Sequence, residues 1–198
     1  MSALINHFQH RLESTLSLIQ ELVERESVSR DEARLNSLAH FVAEQLSQFA
    51  DEVQLIPQSG FGTHLRARFG FGHQSTQPHL LILGHLDTVW PLGTLERIPF
   101  RITEQGTAHG PWIFDMKSGV AIIIEAVQAI SHLRLSTNHP VTLLLTCDEE
   151  IGSPSSRSLV EEAARNCIAA FVLEPPIPGG IVKTGRKGVG VFTLRVTG

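Results

Sequence analysis

The chain has 198 residues, of which 42% are hydrophobic, and a formal net charge of −4 at pH 7. This length suits one domain, or one domain with part of another, and the composition is typical of a globular protein. The charge offers no basic surface for nucleic acid. No segment has the roughly 18 apolar residues that a membrane span needs, and the first residues, MSALINHFQHRLEST, do not resemble a secretion signal. We therefore expect a cytoplasmic protein without nucleic-acid or membrane partners.

The first part of the chain shows helical periodicity. Apolar residues from Leu4 to Val23 recur at helical spacing, and Ser29 with Glu32 fits a capping box that opens a second helix ending at about Phe49. Short runs of strand-forming residues follow, separated by a stretch rich in Gly, Ser and Gln. These patterns predict strands at residues 53–56 and 63–69, a turn at 70–78, and a buried strand that ends at residue 85.

Strands and helices alternate in the second part of the chain. The patterns predict a helix at residues 117–133, a strand at 141–146, a helix at 157–164 and a strand at 168–173. Strand, crossover helix and strand imply parallel pairing, so the predicted fold class is α/β, with a layered, mostly parallel sheet flanked by helices. The segment PPIPGG after Glu174 is typical of a linker. The alternating VGVFTLRVTG that follows predicts the first strand of an antiparallel unit.

A histidine and several acidic residues stand where predicted strands end. His85 and Asp87 follow the run HLLILG, and open α/β sheets place their chemistry at such ends. Alternate residues of an extended chain share a face, so the His85 imidazole can point toward a metal while the Asp87 carboxylate faces its other nitrogen. Three further aliphatic segments lead into acidic residues: Asp115, the pair Glu149 and Glu150, and Glu174.

These residue types suit a divalent metal ion. Imidazole and carboxylates are typical ligands of zinc and other divalent transition metals, and His85, Asp115 and Glu174 would supply three of them. Glu149 and Glu150 would point in opposite directions on an extended backbone, so one could bind metal while the other stays free. A bound metal lowers the pKa of its water molecule toward about 7. A free glutamate beside such a water can act as the general base in hydrolysis.

Four segments extend the pattern along the chain: GHLDTV, FDMKSG, CDEEIGS and LEPP. In order and spacing they resemble the dinuclear zinc exopeptidases and amidohydrolases, a family that includes glutamate carboxypeptidase, acetylornithine deacetylase, succinyl-diaminopimelate desuccinylase and aminoacylase. The resemblance is greatest with the glutamate carboxypeptidase branch, through GHLDTV, DEEIGSP and KTGRKG. It implies a zinc-dependent hydrolase that cleaves an amide or peptide bond next to a free carboxylate, in a small peptide or an N-acyl amino acid.

The resemblance also implies a role for each site residue. Two zinc ions, or Co²⁺ or Mn²⁺ in their place, are expected in each full-length subunit, and the full-length protein is expected to be a homodimer. A cis peptide bond is expected between Asp115 and Met116. The implied roles are His85 and Glu174 as ligands of the first zinc, Asp115 as the bridge between both zinc ions, Glu150 as a ligand of the second, Glu149 as the general base, and Asp87 as the residue that orients His85.

This sequence departs from the family in two respects. Family members carry a further histidine ligand, and most of a lid and dimerisation domain, in a chain about twice as long. We therefore expect a truncated chain, with an incomplete zinc-binding catalytic domain at residues 1–180 and the hinge and first strand of the lid domain at 181–198. Trp112 stands where the family usually has glycine, so a positive φ there would strain the loop.

Several interpretations stay open at this point. The chain is either such a metallohydrolase or an inactive metal-binding fragment, or truncated relative, that serves as a non-catalytic interaction protein. A lone acid at a strand end is more often a solvated loop residue or a helix cap. His64 and His109 match no motif, and we interpret them, with a buried Cys147 thiol, as structural or surface residues. A basic cluster fits a solvated turn and a site for a substrate carboxylate about equally well: Lys183, Arg186 and Lys187.

Overall fold

A five-stranded sheet flanked by helices forms the centre of the fold. The computed structural model of the chain describes residues 3–74 and 76–197. None of the helices in this part has the length and apolarity needed to cross a membrane. The helices are α1 (Ala3–His10), α2 (Leu12–Val23), α3 (Glu32–Ser47), α4 (Thr94–Arg97), α5 (Ser118–His132) and α6 (Arg157–Arg165). The strands are β1 (Glu52–Gln58), β2 (Gly62–Phe69), β3 (His79–His85), β4 (Arg101–Ile102), β5 (Ala108–His109), β6 (Val141–Thr146) and β7 (Cys167–Val172).

Strand β2 runs against the other four strands of the main sheet. The strand order is β1-β2-β6-β3-β7, with β2 antiparallel to both β1 and β6, and β3 parallel to both β6 and β7. The parallel pairs arise because α5 and α6 carry the chain back across the sheet, whereas a short turn joins β1 to β2. Strands β4 and β5 form a separate two-stranded ribbon. The predicted α/β class, a sheet flanked by helices, is confirmed, and the sheet is mixed, with two parallel and two antiparallel pairs.

Burial increases from the edge of the sheet to its centre. All six residues of β6 are buried, whereas five of the six residues of β7 are exposed. Helices α2, α3 and α5 contribute fully or nearly fully buried side chains to the same core, including Leu22, Leu38 and Val120. Strands β3 and β6 are therefore central strands next to the packed core, whereas β7 is an exposed edge strand.

The predicted helix from Leu4 to Val23 is broken at Arg11. This residue separates α1 from α2, and its guanidinium donates two hydrogen bonds, of 2.6 and 2.9 Å, to the carboxylate of Glu125 on α5. The Glu125 side chain is only 4% exposed. The break thus places a guanidinium beside a buried carboxylate, and a buried charge of this kind needs a partner of opposite charge.

The predicted capping box at the start of α3 is wrong. Asp31, rather than Ser29, caps the helix, because its carboxylate accepts the N–H of Arg34 at 3.1 Å. The hydroxyl of Ser29 instead donates to the carboxylate of Asp87, 58 residues along the chain. The second half of the motif is also used elsewhere, since the Glu32 carboxylate accepts the N–H of residue 60.

Residues 182–197 have no regular secondary structure. The strand predicted at VGVFTLRVTG is therefore not formed over residues 189–197, and Gly198 lies outside the described residues. A strand needs a neighbour that pairs with its backbone N–H and C=O groups, and no strand in the described ranges pairs with this segment. Its apolar side chains are consequently exposed, by 93% at Val189 and 95% at Phe192.

Candidate metal centre and active site

Three parallel strands end at the same edge of the sheet and bring the predicted site residues together. His85, the last residue of β3, lies beside Thr146, the last residue of β6, and Leu83 lies beside Val172 of β7. The residues that follow β3, β6 and β7 therefore share one edge, where open α/β sheets bind their ligands. They are Asp87, the pair Glu149 and Glu150, and Glu174, and the segment before α5 adds Asp115.

The imidazole of His85 is the buried centre of this site. Only 1% of its side chain is exposed, and its Nε2 lies 3.0 Å from Oε1 of Glu174 and 3.1 Å from Oδ1 of Asp115. Oε2 of Glu149 lies 3.9 Å from the same nitrogen. The carboxylates are more accessible, with 55% of the Asp115 side chain and 49% of the Glu149 side chain exposed. The site therefore opens to solvent on its carboxylate side.

The structure places Asp87 differently from the prediction. Nδ1 of His85 lies 2.9 Å from the main-chain oxygen of Asp87 and 3.5 Å from its carboxylate oxygen Oδ1. A carbonyl oxygen only accepts hydrogen bonds, so Nδ1 carries a proton and Nε2 is the nitrogen that can bind a metal. The main chain of Asp87, more than its carboxylate, orients the ring.

The carboxylate of Asp87 organises the turn that follows β6. Its Oδ1 accepts the N–H of Glu149 at 3.1 Å, and its Oδ2 accepts the N–H of Glu150 at 3.2 Å. The hydroxyl of Ser29 donates a third hydrogen bond, to Oδ2, at 2.7 Å. Asp87 is only 1% exposed, and these donors offset the cost of burying its charge.

Glu149 and Glu150 lie in a single 3₁₀ turn, Glu149–Ile151, and not on an extended chain. The expectation that their side chains point in opposite directions is therefore wrong, and both carboxylates approach His85. Two groups of three possible ligand atoms lie within 4.8 Å of one another: His85 with Glu149 and Glu174, and His85 with Asp115 and Glu150. His85 belongs to both groups.

Trp112 anchors the loop that carries Asp115. Its φ is 47°, so the positive φ is kept in spite of the bulky side chain. The residue is 3% exposed, and Nε1 donates to the main-chain oxygen of Val23 at 2.8 Å. The peptide bond between Asp115 and Met116 is cis, as predicted, and Sδ of Met116 accepts the N–H of His85 at 3.2 Å. The loop is thus attached to the core on one side and to β3 on the other.

Three carboxyl groups of the site hold their protons more tightly than usual. Burial, and then the charges of neighbouring carboxylates, raise the pKa values of Asp115 and Glu149. The same causes raise the pKa of Glu150 to about 7. A cluster of carboxylates that resist ionisation together is the electrostatic environment that a bound cation stabilises.

The pKa of His85 is raised as well. Burial lowers it, but the neighbouring carboxylates of Asp87 and Glu174 outweigh burial and raise the pKa to about 11. The hydrogen bond with His85 in turn lowers the pKa of Glu174. At neutral pH a proton therefore occupies Nε2 between the carboxylates, and a divalent cation could take its place. One imidazole nitrogen with several carboxylate oxygens fits zinc and similar divalent metals.

A buried network of hydrogen bonds, which the sequence did not indicate, involves residues on both sides of the turn Glu149–Ile151. Nδ1 of His64, which is fully buried, accepts the N–H of Cys147 at 3.1 Å, and its Nε2 lies 3.0 Å from Oγ of Ser155. Ser155 donates from Oγ to the Asp148 carboxylate at 2.8 Å. Burial lowers the pKa of His64 and raises that of the Cys147 thiol, in keeping with structural roles for both. No local sequence pattern indicates this network of hydrogen bonds, because His64 and Ser155 are 91 residues apart.

The basic cluster of Lys183, Arg186 and Lys187 is exposed and lies in the segment without regular structure. After the hydrogen bond with His85, the charge of Lys183 is a further cause that lowers the pKa of Glu174. Both interpretations of the cluster stay open. His109, in β5, is exposed, in keeping with its interpretation as a surface residue.

The chain is similar to known proteins over most of its length. Residues 81–193 match Peptidase family M20/M25/M40. Carboxypeptidase G2 from Pseudomonas sp. (strain RS-16) is 27% identical over 189 residues, which cover 93% of this chain and 44% of that protein. Acetylornithine deacetylase from Proteus mirabilis (strain HI4320) is 31% identical over 198 residues, which cover 95% of this chain and 49% of that protein. The crystal structure of human carnosine dipeptidase 1 shares the fold, with a TM-score of 0.73 at 21% identity over 88% of this chain and 42% of that chain.

The chain spans about half the length of the curated relatives it matches. Identities of 27% and 31% do not separate the branches of the family, so the branch stays a prediction. Members of the matched family are typically metal-dependent, in keeping with the donors around His85. The match extends over more than half of the sequence and includes every predicted site residue from His85 to Glu174. As predicted from its motifs, this chain belongs to peptidase family M20/M25/M40.

Proposed function

We propose that this chain carries the active site of a zinc-dependent hydrolase that cleaves an amide or peptide bond next to a free carboxylate. The observation that supports this most is the buried imidazole of His85, whose Nε2 lies 3.0–3.9 Å from the carboxylates of Glu174, Asp115 and Glu149. The names of the matched relatives, a carboxypeptidase, a deacetylase and a dipeptidase, favour a hydrolase over a non-catalytic interaction protein. The substrate class is a small peptide or an N-acyl amino acid.

The metal ligands in this proposal are His85 and Glu174 for one zinc and Glu150 for a second, with Asp115 between them. Two zinc ions per full-length subunit are expected, and Co²⁺ or Mn²⁺ could occupy the same donor types. When bound, the metal supplies a Lewis acid that polarises the carbonyl to be cleaved and lowers the pKa of a water molecule. Glu149 also belongs to one of the ligand groups around His85. Experiment must therefore separate its role from that of Glu150.

Glu149 is the general base in this proposal. About half of its side chain is exposed, so its carboxylate can meet both water and substrate, and its raised pKa makes it a stronger proton acceptor. It takes a proton from water as the new O–C bond forms and delivers this proton to the nitrogen as the C–N bond breaks. Asp87 holds the N–H of Glu149, and so fixes the turn from which this carboxylate extends.

We also propose a domain division and an assembly for the protein. Residues 1–180 form the zinc-binding catalytic domain, and 181–198 form the hinge and the beginning of a lid and dimerisation domain. The full-length protein is a cytoplasmic homodimer without nucleic-acid or membrane partners. A substrate carboxylate would meet the basic cluster, whose cationic side chains are exposed in the segment that follows Glu174.

The test compares three glutamine variants of the chain with added zinc. Glu149→Gln should bind zinc with nearly unchanged affinity but lose about 10²–10⁴-fold in turnover of N-acyl amino acids and dipeptides. Glu150→Gln should weaken zinc binding, because it removes a ligand. Glu161→Gln, on the exposed surface of α6, is the matched control and should change neither property.

Two results would contradict the proposal. Retained turnover in the Glu149→Gln variant would remove the assigned base. A folded, zinc-loaded wild-type chain with no turnover above that variant would show that these residues do not form a working active site in this chain.

A further inference from the structure

The segment between α2 and α3 lies along the chain that leaves β3. Val28 forms a parallel bridge with Thr88, the N–H of Thr88 donates to the oxygen of Ser27 at 3.0 Å, and the N–H of Ser29 donates to the oxygen of Thr88 at 3.1 Å. Residues 27–29 thus act as a short strap on residues 86–88. The strap begins a few residues after α2 and ends before α3, so two packed helices hold its ends.

The two serines of this strap make their short hydrogen bonds to different kinds of acceptor. Ser27, which is fully buried, donates from Oγ to the main-chain oxygen of Leu86 at 2.7 Å. Ser29 donates from Oγ to the carboxylate oxygen Oδ2 of Asp87, also at 2.7 Å, and the main-chain oxygen of Thr88 is a more distant acceptor at 3.4 Å. The two hydrogen bonds have the same length and lie in the same segment. Only that of Ser29 reaches a side chain of the site.

The Asp87 carboxylate lies close to several possible partners. Its Oδ1 lies 3.5 Å from Nδ1 of His85 but accepts the N–H of Glu149 at 3.1 Å, and its Oδ2 accepts the N–H of Glu150 at 3.2 Å. Both backbone bonds are near the long end of the ordinary range. The bond from Ser29 is the shortest of the three, at 2.7 Å.

We infer that Ser29 is a positioning residue: it holds the Asp87 carboxylate in the orientation that receives the N–H groups of Glu149 and Glu150. It thereby sets where the two glutamate carboxylates lie relative to His85. This inference rests on the proposed function for the roles of Glu149 and Glu150. Ser29 itself touches neither substrate nor metal, and acts through Asp87.

The test first measures the amide protection of the turn Glu149–Ile151 and then the zinc affinity of the site. Amide hydrogen exchange, followed by NMR without metal, should be about tenfold or more faster at Glu149 and Glu150 in the Ser29→Ala variant than in the wild-type chain. Loss of a hydrogen-bonded partner of a metal ligand typically weakens metal binding 10–100-fold. Ser29 acts through one further residue, so we expect a loss of about 3–10-fold in zinc affinity, measured by competition with a chromophoric chelator.

Two other variants separate positioning from stability. Ser27→Ala removes the equivalent hydrogen bond to a main-chain acceptor, and should lower stability without specifically accelerating exchange at Glu149 and Glu150. Ser29→Thr keeps the hydroxyl and should restore both the exchange protection and the zinc affinity. If Ser29→Ala does not fold, the pair Ser29→Cys and Ser27→Cys takes its place, because a thiol is a much weaker donor.

Equal exchange at Glu149 and Glu150 in the Ser29 and Ser27 variants would overturn the inference, as would unchanged protection in Ser29→Ala. A wild-type chain that binds no zinc would contradict the proposed function instead. The exchange measurement, which needs no metal, would still decide the role of Ser29.

Discussion

Replacing Trp112 with glycine sets two effects of this residue against each other. Glycine suits the backbone, because Trp112 has a φ of 47° and the left-handed conformation costs an L-residue about 1–2 kcal/mol. The tryptophan side chain, however, is 97% buried and donates a hydrogen bond to the main-chain oxygen of Val23. We expect the side chain to dominate, so that Trp112→Gly destabilises the fold.

The magnitude follows from the separate contributions. Truncation of a buried tryptophan to alanine typically costs about 3–5 kcal/mol, which includes the lost packing and the unpaired acceptor. Relief of the positive φ returns about 1–2 kcal/mol, and the added freedom of glycine in the unfolded chain costs about 0.5–1 kcal/mol. The free energy of unfolding should therefore fall by about 2–4 kcal/mol in Trp112→Gly. Trp112→Ala should be less stable than Trp112→Gly by about 1 kcal/mol, because alanine loses the side chain and keeps the strain.

Urea denaturation followed by circular dichroism measures these differences. Trp90 is the other tryptophan of the chain and is 42% exposed, so Trp90→Ala is the matched control and should change stability by no more than about 0.5 kcal/mol. A Trp112→Gly variant as stable as the wild-type chain, or more stable, would refute the reasoning. It would mean that the backbone strain at this loop exceeds the value of the buried indole.

Two further predictions concern the packing and protonation of the site. A Cβ at Gly119 would lie 2.3 Å from the main-chain oxygen of Leu173, so Gly119→Ala should lower the free energy of unfolding by about 1–3 kcal/mol. Gly185→Ala, where an added Cβ would have no described atom within 4 Å apart from the adjacent residues, should have no such effect in the same urea titration. Because the pKa values of His85 and Glu150 are about 11 and about 7, zinc binding at pH 7 should release about 1–2 protons per site and tighten as the pH rises. Calorimetry in buffers of different ionisation enthalpy counts these protons, and binding without proton release would contradict the assigned ligands.

The sequence predicts the regular elements that carry the site because their patterns are local. The run of aliphatic residues in β6 and the apolar stripe of α5 are complete within the segments that form them, and both elements lie within a residue or two of the predicted bounds. The same local patterns place the acidic residues at the ends of the predicted strands. From this placement the sequence predicted that Asp115 and Glu174 approach His85, and the distances in the structure agree.

The sequence could not predict interactions whose partners are distant along the chain. Ser29 with Glu32 fits a capping box as well as many true helix starts do, and only the folded chain shows that the hydroxyl binds Asp87. The bond from Trp112 to Val23 spans 89 residues and has no local signature. The 3₁₀ turn at Glu149–Ile151 was likewise hidden. Its own N–H to C=O bond, from Gly152 to Glu149, is supplemented by the carboxylate of Asp87, which accepts the N–H groups of Glu149 and Glu150 from 62 and 63 residues away.

Glu174 follows β7, the edge strand of the sheet, and this position links metal binding to the opening of the sheet edge. In the described ranges β7 pairs only with β3, and five of its six residues are exposed. Strands with few buried contacts open at a lower free-energy cost than central strands do. Each opening of β7 would withdraw the Glu174 carboxylate from His85, which belongs to the neighbouring β3. An ion held by both residues would act as a cross-link between the two strands, so that metal occupancy and closure of the sheet edge become a single equilibrium.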